Sequence, residues 1–229
     1  ISPVKAEGWT SGGYKGEAMV CSPKGVGPFP TIIFNHAKIV DKFGVSGAYD
    51  KGYDLDGICR AFAKEGYLAF MPIRQHGHEN NRKHIENLLS EVTNALMAAK
   101  ARKDVDSSRI AFGGHSRGGV LTLLAGTRGI PVKALFMLAP GMPGLFSKAV
   151  KRVDRIRVPV LAMIANDDEE FLSNITNLDE AMKKAGKPLK LYKYDRGGGH
   201  KLFYSKDYYW NDLIDFLKSN FAETISTAQ

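Results

Sequence analysis

Membrane spans, internal repeats and low-complexity linkers are absent from this sequence, and cysteine is scarce. No apolar run approaches the length that a bilayer span needs, which excludes a transmembrane helix. Because there is no repeat and no break in composition, the 229 residues are predicted to form one domain, residues 1–229, with a large core. The 44% hydrophobic and 24% charged residues are typical of a soluble globular protein.

The two cysteines are Cys21, at the end of a predicted strand, and Cys59, on the apolar face of a predicted helix. Two isolated cysteines are more often buried free thiols than a disulfide, which favours free thiols, but the sequence leaves their redox state open. The chain begins at Ile1 rather than methionine, and a cleaved secretory signal is one explanation. The sequence leaves open whether this soluble protein is cytoplasmic or exported.

Charge of one sign is in excess, because 32 lysines and arginines face 24 aspartates and glutamates, a net charge of +8. A basic surface of this kind could steer anionic substrates or touch polyanions. The lysines are scattered, however, and no basic stripe is interleaved with aromatic residues as in nucleic-acid-binding proteins. We therefore expect a solvated, lysine-rich surface and a small-molecule partner rather than nucleic acid.

Short apolar runs alternate with amphipathic segments, which predicts an α/β fold with a mostly parallel sheet covered on both faces. A long loop is predicted between the second strand and the first helix, at residues 37–54. The predicted strands are residues 14–21, 31–35, 68–72, 110–112, 132–139, 158–165 and 189–194. The predicted helices lie near residues 55–65, 80–101, 119–125, 175–185 and 209–217.

One motif carries most of the chemistry: Gly114-His115-Ser116-Arg117-Gly118 reads G-x-S-x-G. It lies between a predicted buried strand and a predicted buried helix, the context of a nucleophile elbow. In such a turn the serine has a strained backbone, and side chains at the flanking glycines would collide with the adjacent strand and helix. The N-terminus of the helix offers N–H groups to developing negative charge.

A serine hydroxyl needs a histidine base, and the histidine needs a carboxylate that fixes its tautomer. The carboxylate is expected after the strand at residues 158–165, where Asp167, Asp168, Glu169 and Glu170 are all available. The histidine is expected after the last strand, where Gly197-Gly198-Gly199-His200 follows directly. Of the six histidines only His200 comes after the acidic run, as the chain order Ser, acid, His requires.

This constellation resembles the α/β-hydrolase superfamily, and the small size and the glycine-rich histidine loop look most similar to its dienelactone-hydrolase-like branch. The resemblance implies a three-layer α/β-hydrolase fold over nearly the whole chain. The short connection at residues 140–157 predicts no large cap domain and an open site. A recurrent family pattern is fitted by Ala165, Asp168 and Phe171, which favours Asp168 as the acid, with Asp167 as runner-up.

The same resemblance suggests how an oxyanion would be held. Arg117, after the nucleophile, is expected to donate one backbone N–H, and the loop after the strand at residues 31–35 the other. Many relatives carry His-Gly-x there, which matches His36-Ala37-Lys38 and makes Lys38 the expected donor, with Ala37 as the alternative. His36 is expected to hold the loop through hydrogen bonds.

A metal site is the rival interpretation of the run Arg74-Gln75-His76-Gly77-His78. With His36, the two histidines could supply ligands, but no cysteine or carboxylate pattern completes the set. We expect no metal, in line with the resemblance, which implies no cofactor either. Arg74 and His76 could instead line the site.

The first functional hypothesis is a serine esterase with catalytic residues Ser116, Asp168 and His200. Prolyl-oligopeptidase catalytic domains share much of the pattern, so peptide or amide hydrolysis is the second. A non-catalytic binding protein on a hydrolase scaffold is the third, although such proteins usually lose a catalytic group. Typical dienelactone hydrolases use a cysteine nucleophile, and Ser116 therefore favours ordinary ester hydrolysis over dienelactone.

Overall fold

A computed structural model describes residue 4, residues 6–74, residue 77 and residues 79–222. Eight strands of this described part form one sheet in the order β1-β2-β4-β3-β5-β6-β7-β8. The second strand is antiparallel to both of its neighbours, and the strands from β4 to β8 are parallel. The strands are β1 Ala6–Ser11, β2 Tyr14–Cys21, β3 Phe29–Asn35, β4 Leu68–Ile73, β5 Val105–His115, β6 Ala134–Leu138, β7 Val160–Ala165 and β8 Leu189–Tyr194.

Helices cover both faces of the sheet, so the expected three-layer, mostly parallel architecture is confirmed. The helices are α1 Lys38–Tyr49, α2 Leu55–Lys64, α3 Arg82–Lys100, α4 Arg117–Gly126, α5 Pro143–Val150, α6 Leu172–Lys184 and α7 Trp210–Phe221. Successive residues of β3 point to opposite sides of the sheet: Ile32 and Phe34 pack with α1, α2 and α7, whereas Ile33 packs with α3 to α6.

The connection between β6 and β7 has no large cap, as expected. Residues 139–159 are all described, and they hold only α5 and one turn of 3₁₀ helix at Val153–Arg155. Among the described residues, no helix has the length and apolar character needed to cross a bilayer.

The prediction of a loop at residues 37–54 is wrong, because α1 occupies most of that segment. Gly44 adopts φ 70° and interrupts the helix, and a second glycine at position 47 weakens its intrinsic propensity. Val40 and Ala48 are nevertheless buried against the sheet, so tertiary packing decides the conformation. The strand β1 and the helix α5 were also not predicted.

The favoured expectation of free thiols is wrong as well, because Cys21 and Cys59 form a disulfide with their Cα atoms 5.7 Å apart. The bond joins the last residue of β2 to the middle of α2, which packs on that strand. Spacing along the sequence could not show this, because the two residues are 38 positions apart and meet only in the folded chain.

Replacing both cysteines with alanine is expected to lower the free energy of unfolding by about 3–4 kcal/mol, because the bridge restricts a loop of moderate length in the unfolded chain. Urea unfolding with and without a thiol reductant measures this loss. The reductant should lower the wild-type stability and leave the double variant unchanged. Alkylation of both thiols in the denatured, unreduced wild-type protein would contradict the bridge.

Candidate active site

Ser116 lies in the turn between β5 and α4, at the carboxyl end of the central strand. Its backbone adopts φ 55° and ψ −114°, a strained conformation for a residue with a side chain. Two hydrogen bonds hold this turn against β6 and the loop that follows it. The Ser116 N–H donates to the Leu138 carbonyl at 2.9 Å, and the Gly141 N–H donates to the Ser116 carbonyl at 3.2 Å.

The turn packs so closely against the end of β3 that both positions flanking it must be glycine. A Cβ atom at Gly114 would lie 2.2 Å from the carbonyl oxygen of Asn35, and a Cβ at Gly118 would lie 1.9 Å from the same oxygen. Neither separation is sterically possible, and the obstacle is backbone, which cannot rotate away. The collision expected from the motif therefore occurs against a neighbouring strand.

Asp168 and His200 form a hydrogen-bonded pair, with 2.9 Å between the carboxylate Oδ2 and the imidazole Nδ1. The Asp168 side chain is only 4% exposed, whereas that of His200 is 25% exposed. The neighbouring Asp167 has a different contact, since its Oδ1 accepts a hydrogen bond from the Gly199 N–H at 3.0 Å. The structure thus places Asp168 on the imidazole and Asp167 on the loop that carries the histidine.

Ser116 and His200 lie beside the same small group of residues. A Cβ at Gly141 would be 3.3 Å from Ser116 Oγ and 3.7 Å from the ring of Phe171. The Phe171 ring has its centroid 4.8 Å from that of His200, and the ring of His115, next to the serine, is also 4.8 Å from His200. The predicted serine, acid and histidine therefore gather at the carboxyl edge of β5, β7 and β8.

His115 is a site neighbour that the sequence reasoning missed. Its side chain is fully buried, and the ring of Tyr53 stacks on it with centroids 5.6 Å apart. Burial lowers the pKa of His115 well below its ordinary value, and the nearby His200 lowers it further. The His115 ring beside His200 is therefore uncharged. A positive charge there would repel the imidazolium that forms when His200 is protonated. The one sign of this role in the sequence is that His115 directly precedes Ser116.

The loop after β3 brings both candidate oxyanion donors to the site edge. The Ala37 N–H donates to the Tyr53 hydroxyl at 3.1 Å, so this amide already has a partner. Lys38 is the first residue of α1, where backbone N–H groups have no intrahelical acceptor. Arg117 holds the equivalent position at the start of α4, directly after Ser116. This arrangement favours Lys38 over Ala37 as the second donor.

Three charged side chains are buried together near the starts of α1 and α4, and we call Asp41, Arg74 and Arg117 the guanidinium clamp. Arg74 donates to both Asp41 oxygens, at 2.9 Å through Nε and 2.8 Å through NH2. Arg117 NH1 donates to Asp41 Oδ2 at 2.9 Å. Burial alone would raise the pKa of Asp41, but the Arg74 and Arg117 charges hold it below its ordinary value. Asp41 therefore carries its negative charge between the two arginines.

His36 holds the same loop through its ring, as expected. Its Nε2 accepts from the Arg74 N–H at 3.3 Å, and its Nδ1 lies 3.0 Å from the Ala37 carbonyl. Burial lowers the pKa of His36 to about 3, and the Arg74 charge contributes. The ring is therefore neutral, and the Arg74 guanidinium NH2 also lies 2.9 Å from its Nδ1.

The sequence suggested that Arg74 and His76 could line the site, and the structure answers this for Arg74 only. The Arg74 side chain is buried in the guanidinium clamp. His76 and His78 lie outside the described residues. Within the described ranges, no three His, Cys, Asp or Glu side chains are grouped so that they could hold a metal ion.

Comparison with known proteins identifies a family that matches most of this chain. The sequence pattern of the dienelactone hydrolase family matches residues 17–218. A curated protein of Methylorubrum extorquens, described as a carboxymethylenebutenolidase, is 26% identical over 193 residues, which are 75% of this chain. The chain spans 63% of the length of that relative.

Two solved structures share the fold. One from Klebsiella pneumoniae, described as a dienelactone hydrolase, has a TM-score of 0.69 at 20% identity. The matched region covers 96% of this chain and 98% of the Klebsiella chain. Dipeptidyl peptidase 4 of Porphyromonas gingivalis has a TM-score of 0.75 at 18% identity, over 94% of this chain and 35% of its own. At these identities the likeness concerns the fold alone.

Proposed function

This chain belongs to the dienelactone hydrolase family, and from that premise we propose that it is a hydrolase that cleaves carboxylic esters with Ser116 as nucleophile. The observation that carries the proposal is the Asp168–His200 hydrogen bond of 2.9 Å beside a strained serine turn. A buried carboxylate on Nδ1 leaves Nε2 of the imidazole to act as the base.

In the proposed acylation step, the Ser116 oxygen attacks the ester carbonyl carbon while His200 Nε2 takes the hydroxyl proton. The carbonyl oxygen becomes an oxyanion, which the backbone N–H groups of Arg117 and Lys38 would stabilise. The C–O bond to the alcohol then breaks, and the imidazolium returns its proton to the leaving oxygen. Asp168 keeps the imidazole in the required tautomer and balances its transient charge.

Deacylation repeats these roles with water as the nucleophile. His200 removes a proton from water, the hydroxide attacks the acyl-enzyme carbonyl, and the same N–H groups stabilise the second oxyanion. Collapse of this intermediate releases the carboxylic acid, and the proton returns to the Ser116 oxygen. No cofactor or metal takes part in the proposed cycle.

Serine in place of the cysteine of typical dienelactone hydrolases bears on the substrate class. A thiolate can form without a strong base, whereas a serine hydroxyl depends on an oriented histidine such as His200. The Asp168–His200 pair supplies that base, which supports ordinary esters. The pair also argues against a non-catalytic binding role, in which one of these groups is usually missing.

Matched p-nitrophenyl esters and p-nitroanilides test the choice between ester and amide cleavage. We expect measurable ester hydrolysis and much slower anilide hydrolysis, because an amine is a poorer leaving group than a phenolate. A series of esters with increasing acyl length then sizes the acyl site, which has no large cap over it. Faster turnover of the anilides would favour the peptidase interpretation, and a lack of reaction with esters and with a fluorophosphonate probe would favour a binding role.

A further inference from the structure

Arg117 has two connections to the oxyanion site, one through its backbone and one through its side chain. Its backbone N–H is one proposed oxyanion donor. Its guanidinium NH1 donates to Asp41 Oδ2 at 2.9 Å. Asp41 lies on the first turn of α1, three residues after Lys38, whose N–H is the other proposed donor. A single ion pair therefore joins the two elements that carry the two donors.

The first turn of α1 is held by the buried side chain of Val40 and by a few polar contacts. Ala37 at the N-cap makes no side-chain capping bond, and Gly44, at φ 70°, breaks the helix one turn later. Besides the packing of Val40 and the hydrogen bonds on Ala37, the Asp41 carboxylate anchors this turn, and it does so through Arg117 as well as Arg74.

The rest of the guanidinium clamp extends the connection to the loop after β4. Arg74 NH2 donates to the His36 carbonyl at 2.7 Å as well as to Asp41. Arg117 NH2 donates to the carbonyl of Glu79 at 2.9 Å and to the Asn80 side chain at 2.6 Å. The loops at the carboxyl ends of β3, β4 and β5 are thus joined through charge-assisted bonds that are buried or partly buried.

We propose that Asp41 and the side chain of Arg117 are positioning residues that fix the Lys38 and Arg117 N–H groups relative to each other. The inference rests on the proposed ester hydrolysis. The three side chains of the clamp are at most 1% exposed, so their bonds are shielded from water and hold one geometry. A buried ion pair contributes little net stability, which makes conformational specificity the more plausible benefit of keeping it.

Arg117→Gln tests this role, because it breaks the pair with Asp41 and retains the backbone N–H. We expect kcat for an activated ester to fall by about 10- to 100-fold while KM changes by less than about threefold, since a misplaced donor affects mainly the transition state. The affinity for a trifluoromethyl ketone, whose serine adduct carries an oxyanion, should fall by the same factor as kcat/KM. Arg117→Lys, which keeps the charge, should recover part of the loss.

The matched control is Arg128→Gln, two residues after the end of α4. Arg128 forms an exposed ion pair with Glu86 at 2.7 Å. We expect kcat and the ketone affinity of this variant to stay within about twofold of wild type, because an exposed pair contributes little. A double-mutant cycle of Asp41→Asn and Arg117→Gln should show strongly non-additive losses in kcat, since both substitutions remove the same contact.

Wild-type kcat and ketone affinity in Arg117→Gln, together with a lowered melting temperature, would overturn the positioning role and leave a purely structural one. If Arg117→Gln does not fold, the same comparison on Arg117→Lys decides, and unchanged kinetics there would also overturn it. Absence of ester turnover and of fluorophosphonate labelling in the wild-type protein would instead overturn the proposed function, and this inference with it.

Discussion

Replacing Ser116 with alanine is expected to lower ester turnover by about 10⁶-fold, because it removes the attacking oxygen and leaves only binding and oxyanion stabilisation. The fold should persist, since alanine keeps the Cβ atom and the backbone bonds to Leu138 and Gly141. The strain at φ 55° is unchanged by this substitution. Hydrolysis of p-nitrophenyl esters and the melting temperature together measure the two expectations.

Ser219→Ala is the control for this variant. Ser219 is exposed on α7, and its hydroxyl donates to the Asp215 carbonyl within the same helix. Its substitution should leave ester turnover at the wild-type level. Substantial turnover in folded Ser116→Ala would show that the reaction does not pass through this serine.

Asp168→Asn is expected to lower kcat by about 10⁴-fold, because an amide in place of the carboxylate favours the wrong imidazole tautomer and cannot stabilise the imidazolium. The 2.9 Å contact with His200 Nδ1 is the geometric reason. Steady-state kinetics with the same esters measure the effect. The variant should retain its fold, since asparagine has nearly the shape of aspartate.

Asp167→Asn separates the two neighbouring carboxylates. Asp167 supports the Gly199 N–H rather than the imidazole, and an asparagine oxygen can still accept that bond. We expect a much smaller loss than in Asp168→Asn, because the substitution keeps an acceptor for the Gly199 N–H and leaves the Asp168–His200 contact intact. If Asp167→Asn costs more activity than Asp168→Asn, the assignment of the acid is wrong.

The sheet and the serine turn could be predicted because their determinants are local. Short apolar runs marked β3, β4 and β7 closely, since these strands are buried on both faces. The edge strand β8 was also predicted, although it is partly exposed. The glycines at 114 and 118 marked the turn, because no other residue fits against Asn35. Such signals need only a few consecutive residues.

The features that could not be predicted depend on contacts between distant parts of the chain. Asp41 and Arg117 are 76 positions apart, so neither reveals its partner before the fold brings β3 and β5 together. The Cys21–Cys59 bridge and the burial of α1 have the same origin. The acidic run after β7 was ambiguous for another reason, since adjacent carboxylates differ only in the direction that the backbone gives them.

The most direct test of the account is to find where the acyl group resides during turnover. The protein would be mixed with p-nitrophenyl acetate, quenched with acid within the first turnover, digested, and its peptides examined by mass spectrometry. The account predicts one acetyl group on Ser116 in the wild-type protein and none in Ser116→Ala. Ester hydrolysis with the acetyl group on a different residue, or with Ser116 never modified, would contradict it.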